Sequence, residues 1–336
     1  MNESRSLVFF YTETPLHAGS GTTLGAVDLP IQRERMSGLP MVPGSGLKGA
    51  WREQIRSWCD DRGRDDWEEW GLALFGREPP RPGAEQNAEP PEEFAGAMSL
   101  LDARLLLLPV RTVWGGWAWV TSPMVLQRLA RDLDVVGEGK VPSWRELRPG
   151  EGEARVGTQS AVAKGKSFIV EDFEYQAAQD KEVDHLAGWL AGQALPQGDA
   201  YKPFRERLAS QLAVVGDEEL KFLAEHATEV VARIRISAQT GTVEKHALWS
   251  EESLPAESLL WTVAFFTDER RKKDKKDKED KEDKKYERKD AGSLQKSFVE
   301  VAKKVSRIRL GGDRTTGRGV VGVHVRPAGD DKGTAR

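Results

Sequence analysis

The sequence predicts an α+β protein with a ferredoxin-like core that carries large insertions. Three observations point to it. An apolar strand candidate, SLVFFYTET at residues 6–14, opens the chain and is followed, beyond a glycine-rich loop, by a helix candidate at 45–59. A strand candidate at 259–267 is followed by an amphipathic helix candidate at 291–305 and strands at 306–310 and 320–325. Strand–helix–strand units at both ends of one chain are the halves of a split βαβ sheet. The 336 residues are read as one domain, with a core from about 6–58, 230–267 and 291–325 and insertions over 60–225.

Between the first strand and helix runs TPLHAGSGTTLGAVDLPIQRERMSGLPMVPGSGLKGAWR, Thr14 to Arg52. It has almost no apolar periodicity. It reads as an ordered loop that brings backbone N–H groups and cations to a polyanion, with glycines where backbone must approach a phosphate. The helix after it repeats Leu47, Trp51, Ile55 and Trp58 at spacings of four and three. Ser45 is its N-cap candidate, and its N-terminus adds to the case for phosphate near Lys48.

Residues 60–76 read as a helix ending at Gly76, and the Pro/Glu-rich 77–95 as a mobile loop. Strands at 97–113 and 117–122 flank Gly115-Gly116 as a hairpin. A helix covers 123–133, a strand 167–175, and helices 183–193 and 204–227. Strands at 233–237 and 259–267 are joined by a polar segment, TGTVEKHALWSEESLP. The run ERRKKDKKDKEDKEDKKYERKD at 269–290 is either a disordered insertion or a solvated helix extension. Its alternating sign opposes RNA binding, since the acids repel phosphate. GGDRTTGRG at 311–319 is a glycine turn before the last strand.

A net charge of −4 gives no global basic signature, but 31% charged residues leave room for a local RNA-binding patch. The single cysteine, Cys59, excludes an intramolecular disulfide and a cysteine-built metal site, as in a reducing cytoplasm. No basic-then-apolar leader pattern and no apolar run of about 18 residues is present, so a cytoplasmic protein with no membrane partner is expected. Gly165-Lys166-Ser167 ends like a phosphate-binding loop, but Ser160 stands where the first glycine belongs and a strand follows. An NTPase is rejected.

TPLHAGSG, DLPIQRER, PGSGLKGAWR and the C-terminal GGDRTTGRG together resemble the RAMP superfamily of CRISPR effector subunits. HAGSGTTLGAVDLPIQRER followed by PGSGLKG is similar to the repeating backbone subunit of the Cmr module, type III-B. The likeness implies an RRM-like palm with a protruding thumb hairpin, placed within the 60–225 insertions. It also implies head-to-tail stacking of copies along a guide RNA, further Cmr-module partners, and cleavage of complementary target RNA at regular intervals with a divalent ion, Mg²⁺ or Mn²⁺. By motif position, Asp28 is the residue tied to cleavage and the metal, and Lys48 is expected to touch guide RNA. Met36 stands where the family tends to have histidine.

Each site residue has a plainer reading. Asp28 could bind a metal ion through water or take a proton from the attacking 2′-hydroxyl, or could shape an Asx-turn. His17 could be a base or phosphate ligand, but a bond to the loop backbone is favoured. Gly19, Gly21, Arg33, Arg35, Gly44, Ser45, Lys48 and Arg52 suit RNA phosphates, as do Arg314 and Arg318 in the C-terminal turn. Ion pairs with Glu34 or Glu53 are the rival. Glu251 and Glu252 are possible auxiliaries to Asp28, with salt bridging as the default. Trp51, Trp58, Trp67, Trp70, Trp114, Trp117 and Trp119 are assigned mostly to core or subunit interface. Two other functions stay open: a guide-binding scaffold that does not cut, and a metal-independent guide-processing endoribonuclease relying on His17.

Overall fold

A computed structural model describes residues 3–61, 66–77, 94–138, 142–271 and 288–328, without the side chain of His246. Most of the 77–95 loop and of the 269–290 charged run lies outside the described residues.

Strand β1 (Glu3–Thr12) carries LVFFY, all buried, because both of its faces are covered. After the glycine loop come β2 (Met41–Val42) and helix α1 (Gly44–Asp60), whose Leu47, Trp51 and Ile55 face the core. A π-helical turn (Trp67–Gly71) leads into α2 (Leu72–Phe75), which stops at Gly76. Then follow β3 (Met98–Leu100), β4 (Ala103–Arg111), β5 (Trp117–Thr121) and α3 (Pro123–Val135). The next stretch holds β6 (Glu153–Val156), β7 (Ala163–Lys164), β8 (Ser167–Val170), β9 (Phe173–Gln179) and α4 (Lys181–Gln193). The chain continues with α5 (Lys202–Gln211), β10 (Leu212–Val214), α6 (Asp217–His226), β11 (Glu229–Ile236), β12 (Val243–Ser253) and β13 (Leu259–Thr267). It closes with α7 (Ala291–Lys304), β14 (Arg307–Arg309) and β15 (Val320–Pro327).

The main sheet runs β14-β15-β1-β13-β4-β5-β10-β6-β9-β8-β7. Its centre, β15-β1-β13-β4, is antiparallel throughout, in register at Phe9↔His324, Phe9↔Trp261 and Leu260↔Leu105. Helices α1 and α7 share one face: Phe298 of α7 meets Trp51 of α1 at 5.0 Å and Phe266 of β13 at 5.6 Å between ring centroids.

Four expectations change. Strand β4 and its neighbour β3 pair with β13, so residues 98–111 belong to the central sheet and not to an insertion. The helix expected at 204–227 is interrupted by β10, whose Leu-Ala-Val pairs in parallel with β5; burial in the sheet outweighs helix propensity there. The single strand expected at 167–175 is a hairpin that turns at Glu171. The polar segment after residue 237 is itself a strand: β11 and β12 form a two-stranded ribbon off the main sheet, so 229–253 is not core. Paired residues share a face, so Ile234 with Leu248 and Ile236 with Val243 form one apolar side, each at least 50% exposed. Gly165-Lys166 turns between β7 and β8, and the strand that follows agrees with the rejection of a phosphate loop. Among the described residues, no helix is long and apolar enough to cross a membrane.

Candidate functional site

The glycine loop folds on itself and docks along β12. Leu16 and Leu254 exchange backbone hydrogen bonds at 2.8 and 2.9 Å. Further along, Leu29 donates to the Ser250 carbonyl and Glu252 donates to the Leu29 carbonyl, both at 3.0 Å. This backbone lattice replaces the side-chain periodicity that the loop lacks.

Asp28 sits at the exposed rim of that lattice. One carboxylate oxygen, Oδ2, accepts from the Ser250 backbone N–H at 2.7 Å and from its hydroxyl at 2.8 Å, while the Asp28 N–H donates to Ser250 Oγ at 2.9 Å. The Ser250 backbone bond, then its hydroxyl, holds the carboxyl below the usual aspartate range. The second oxygen, Oδ1, has no hydrogen bond among the described residues. Asp28 therefore presents one fixed, ionised, solvent-facing oxygen.

Glu252 is the clamp beneath it. Its buried carboxylate accepts from the Ile31 N–H at 3.0 Å, the Arg33 guanidinium at 2.5 Å and the Thr228 hydroxyl at 2.8 Å. Arg33 also donates to the carbonyls of Gly38 and Ala224, both at 2.9 Å. Arg33 thus ties loop to ribbon and α6, facing protein acceptors rather than solvent. Glu34 is held by Arg128 at 2.6 Å, whereas Arg35 is exposed and has no partner among the described residues.

His17 bonds backbone, but that of β12 rather than of its own loop as expected: its Nδ1 lies 2.6 Å from the Glu252 carbonyl. A carbonyl can only accept, so Nδ1 carries a proton and donates to it. A Cβ at Gly19 would stand 2.6 Å from Nε2, so the glycine makes room for the imidazole. Gly21 is exposed with φ of +95°. Glu251 is buried near Arg233 at 3.6 Å and Arg318 at 4.0 Å; burial pushes its carboxyl up, the Asp313 carboxyl adding and Arg233 and His17 opposing. Arg318, 14% exposed, donates to Ser253 Oγ at 2.7 Å, and Arg314 pairs with Glu53 at 2.6 Å.

At the start of α1, Pro43 takes the N-cap position and Ser45 lies exposed inside the first turn. The cap is Asp102, whose carboxylate accepts the Gly44 N–H at 2.8 Å. Gly44 is a glycine because a Cβ would lie 2.3 Å from the Leu100 carbonyl. The first orphan N–H of α1 is thus met by the protein, not left for phosphate. One turn on, Lys48 donates to the Met98 carbonyl at 2.8 Å; burial pushes its ammonium down, with Arg52 and Arg270 adding. Arg52 donates to the Phe75 and Gly76 carbonyls, capping α2, and lines a cleft with Arg56 and Trp67. Of the tryptophans, Trp51, Trp70 and Trp119 are buried and Trp58, Trp67 and Trp117 pack partly against the core.

Ser250 was not legible as a partner of Asp28; a lone serine in a polar strand gives no signal. Among the described residues, no group of three or more His, Cys, Asp or Glu could hold a metal ion.

Residues 9–322 match the RAMP superfamily model, and the chain belongs to that superfamily. It is 33% identical over 329 residues, 98% of both chains, to the CRISPR system Cmr endoribonuclease Cmr4 of Pyrococcus furiosus. It is 26% identical to the CRISPR system CMR subunit Cmr4 of Saccharolobus solfataricus, over 76% of this chain and 82% of that one. Among solved structures, oligomeric Cmr4 from Pyrococcus furiosus superposes with a TM-score of 0.63 at 24% identity, covering 97% of this chain and 99% of that one. A subunit of the type III-B Cmr-beta complex bound to cognate target RNA gives 0.64 at 21%, covering 96% of each. The last two likenesses carry the fold.

Proposed function

We propose that this protein is the repeating backbone subunit of a type III-B RNA-guided complex, and that it cuts the complementary target RNA beside Asp28. The single observation that carries the cutting role is Asp28 itself: exposed, ionised, fixed by Ser250 through one oxygen and open at the other. Kinship to a Cmr endoribonuclease along nearly the whole chain supports the reading.

Guide RNA would lie along α1, where Lys48, Arg52 and Arg270 crowd together and a phosphate would relieve their mutual repulsion. The β11–β12 ribbon is the protruding hairpin. Its exposed Ile234, Ile236, Val243 and Leu248 suit a wedge between base steps, which would splay a nucleotide near Asp28. Strand choice is left to base pairing, so the protein reads phosphate, shape and 2′-hydroxyl.

A carboxylate held below its usual range is a weak general base, which favours an electrostatic role for Asp28 over proton abstraction. One open carboxylate without further protein ligands fits Mg²⁺ or Mn²⁺ only as a shared ion, since Mg²⁺ is commonly held by one or two carboxylates plus phosphate and water. When bound, such an ion offsets charge on the phosphoryl oxygens. Ser250 orients Asp28, and Glu252 holds the loop through Ile31 and Arg33. The test is Asp28→Asn in complexes reconstituted with guide RNA: assembly and target binding persist, and target cutting is lost.

A further inference from the structure

The loop that carries Asp28 is a closed tongue. Its two legs are tied rung by rung. The Gln32 N–H donates to the Ala18 carbonyl at 2.7 Å, that of Ser20 to the Pro30 carbonyl at 2.9 Å, and that of Thr23 to the Asp28 carbonyl at 3.0 Å. Thr23 also locks the tip: its hydroxyl donates to the Val27 carbonyl at 3.0 Å and accepts the Gly25 N–H at 3.1 Å. Leu24 stands at the apex of this turn, 109% exposed. A lone surface leucine is ordinary; this one is held on a pre-formed turn whose other end is Asp28. The rung from Thr23 to Asp28 sets the spacing. One strand pair of about 5.5 Å and one peptide of about 3.8 Å place the Leu24 and Asp28 Cα atoms within about 9 Å. That is fewer than three stacked base steps of about 3.4 Å.

The ribbon supplies a second apolar point. Leu248 lies two residues before Ser250 on β12, so it shares the face from which the Ser250 hydroxyl grips Asp28. Ile234 is its cross-strand partner, and the two are 68% and 50% exposed. Apolar side chains on two separate elements, tongue and ribbon, therefore flank one ionised carboxylate.

We propose that Leu24 packs against a target-RNA base next to the scissile linkage, so that the linkage beside Asp28 is spread between a contact on the tongue and one on the ribbon. Apolar side chains that press between base steps unstack them. Every base has an apolar face, so the contact asks for no particular sequence. A base held off the stack frees its linkage to reach the in-line arrangement of attacking and leaving oxygens. The closed turn loses little freedom on contact, because Thr23 has already fixed it. The inference rests on the reading of Asp28 as the cutting residue.

The test uses complexes reconstituted with guide RNA and a target carrying 2-aminopurine, which brightens when it leaves the stack, on either side of a cut. A 2′-deoxy nucleotide at the scissile position keeps the target whole while fluorescence is read. The parent should brighten the probe on one side, and Leu24→Ala should dim it. On an unmodified target, Leu24→Ala should slow single-turnover cutting by about 5- to 10-fold with target affinity unchanged, as expected for about half a leucine side chain buried against a base. Leu24→Met, apolar and of similar volume, should restore both readouts. Leu24→Ala should melt with the parent, since the residue is exposed, which separates lost contact from misfolding. Cutting at the parent rate by Leu24→Ala overturns the proposal, as does slowing with the fluorescence unchanged. So does impaired assembly of Leu24→Ala with normal cutting per assembled complex, which would make the tip a contact between copies. If Leu24→Ala cuts like the parent while Asp28→Asn does not cut, the subunit reading stands and the tongue contact does not; if both cut like the parent, both fall.

Discussion

Glu252→Ala should destabilise the fold by about 3 kcal/mol without touching the chemistry directly. Breaking a buried ion pair from one side costs roughly 3–5 kcal/mol. Arg33 is 22% exposed and keeps two carbonyl acceptors, so its share falls to about 2 kcal/mol. The N–H of Ile31, a residue 3% exposed, loses its acceptor for roughly another 1 kcal/mol. At roughly 2 °C per kcal/mol for a chain of this size, the melting temperature should fall by about 6 °C. Glu252→Gln retains an acceptor for Ile31 and should lose less than half as much. Differential scanning calorimetry measures both, and target cutting well below the melting range measures the chemistry. A Glu252→Ala protein that melts with the parent but no longer cuts would refute the clamp and make Glu252 a participant at the RNA.

Other outcomes follow from the same geometry. Gly44→Ala drives a Cβ against the Leu100 carbonyl and should destabilise by about 2 kcal/mol, whereas Gly49→Ala, with nothing within 4 Å, should stabilise α1 by about 1 kcal/mol; chemical denaturation compares them. The depressed carboxyl of Asp28 gives stability that is present above the unfolded aspartate value and is lost as pH falls through the folded one, so Asp28→Asn should narrow the gap in melting temperature between pH 6 and pH 3. Glu257 has the opposite sign: raised to about 7 when folded, it makes stability fall as pH rises from about 4.5 to 7, and Glu257→Gln should flatten that slope in melting curves.

Much of the framework was legible because it rests on local periodicity. Leu47, Trp51, Ile55 and Trp58 marked α1, and Gly115-Gly116, both at positive φ, marked the β4–β5 turn. The ribbon was only half legible: a strand was read at 233–237, but the many charged residues of β12 made it read as a polar connection, and its apolar residues lie on an exposed face. Strand β10 is three residues long between two helices, too short for its period to register. At the site, motif position singled out Asp28, but only the fold shows its partner Ser250, 222 residues away in sequence. The arginines were read as phosphate ligands or as partners of Glu34 or Glu53; Arg33 and Arg318 instead face carboxylates that lie next to each other on β12, at positions 252 and 251. Glu257 carries no sequence signal, since its burial comes from three separate segments closing around it.

The most direct measurement is target cleavage by complexes reconstituted with guide RNA, comparing the parent chain with Asp28→Asn, each in Mg²⁺ and in EDTA. The account predicts cuts at regular intervals only for the parent in Mg²⁺, with target binding equal in both proteins. Undiminished cutting by Asp28→Asn, or cleavage of precursor guide RNA by the isolated chain in EDTA, would contradict it.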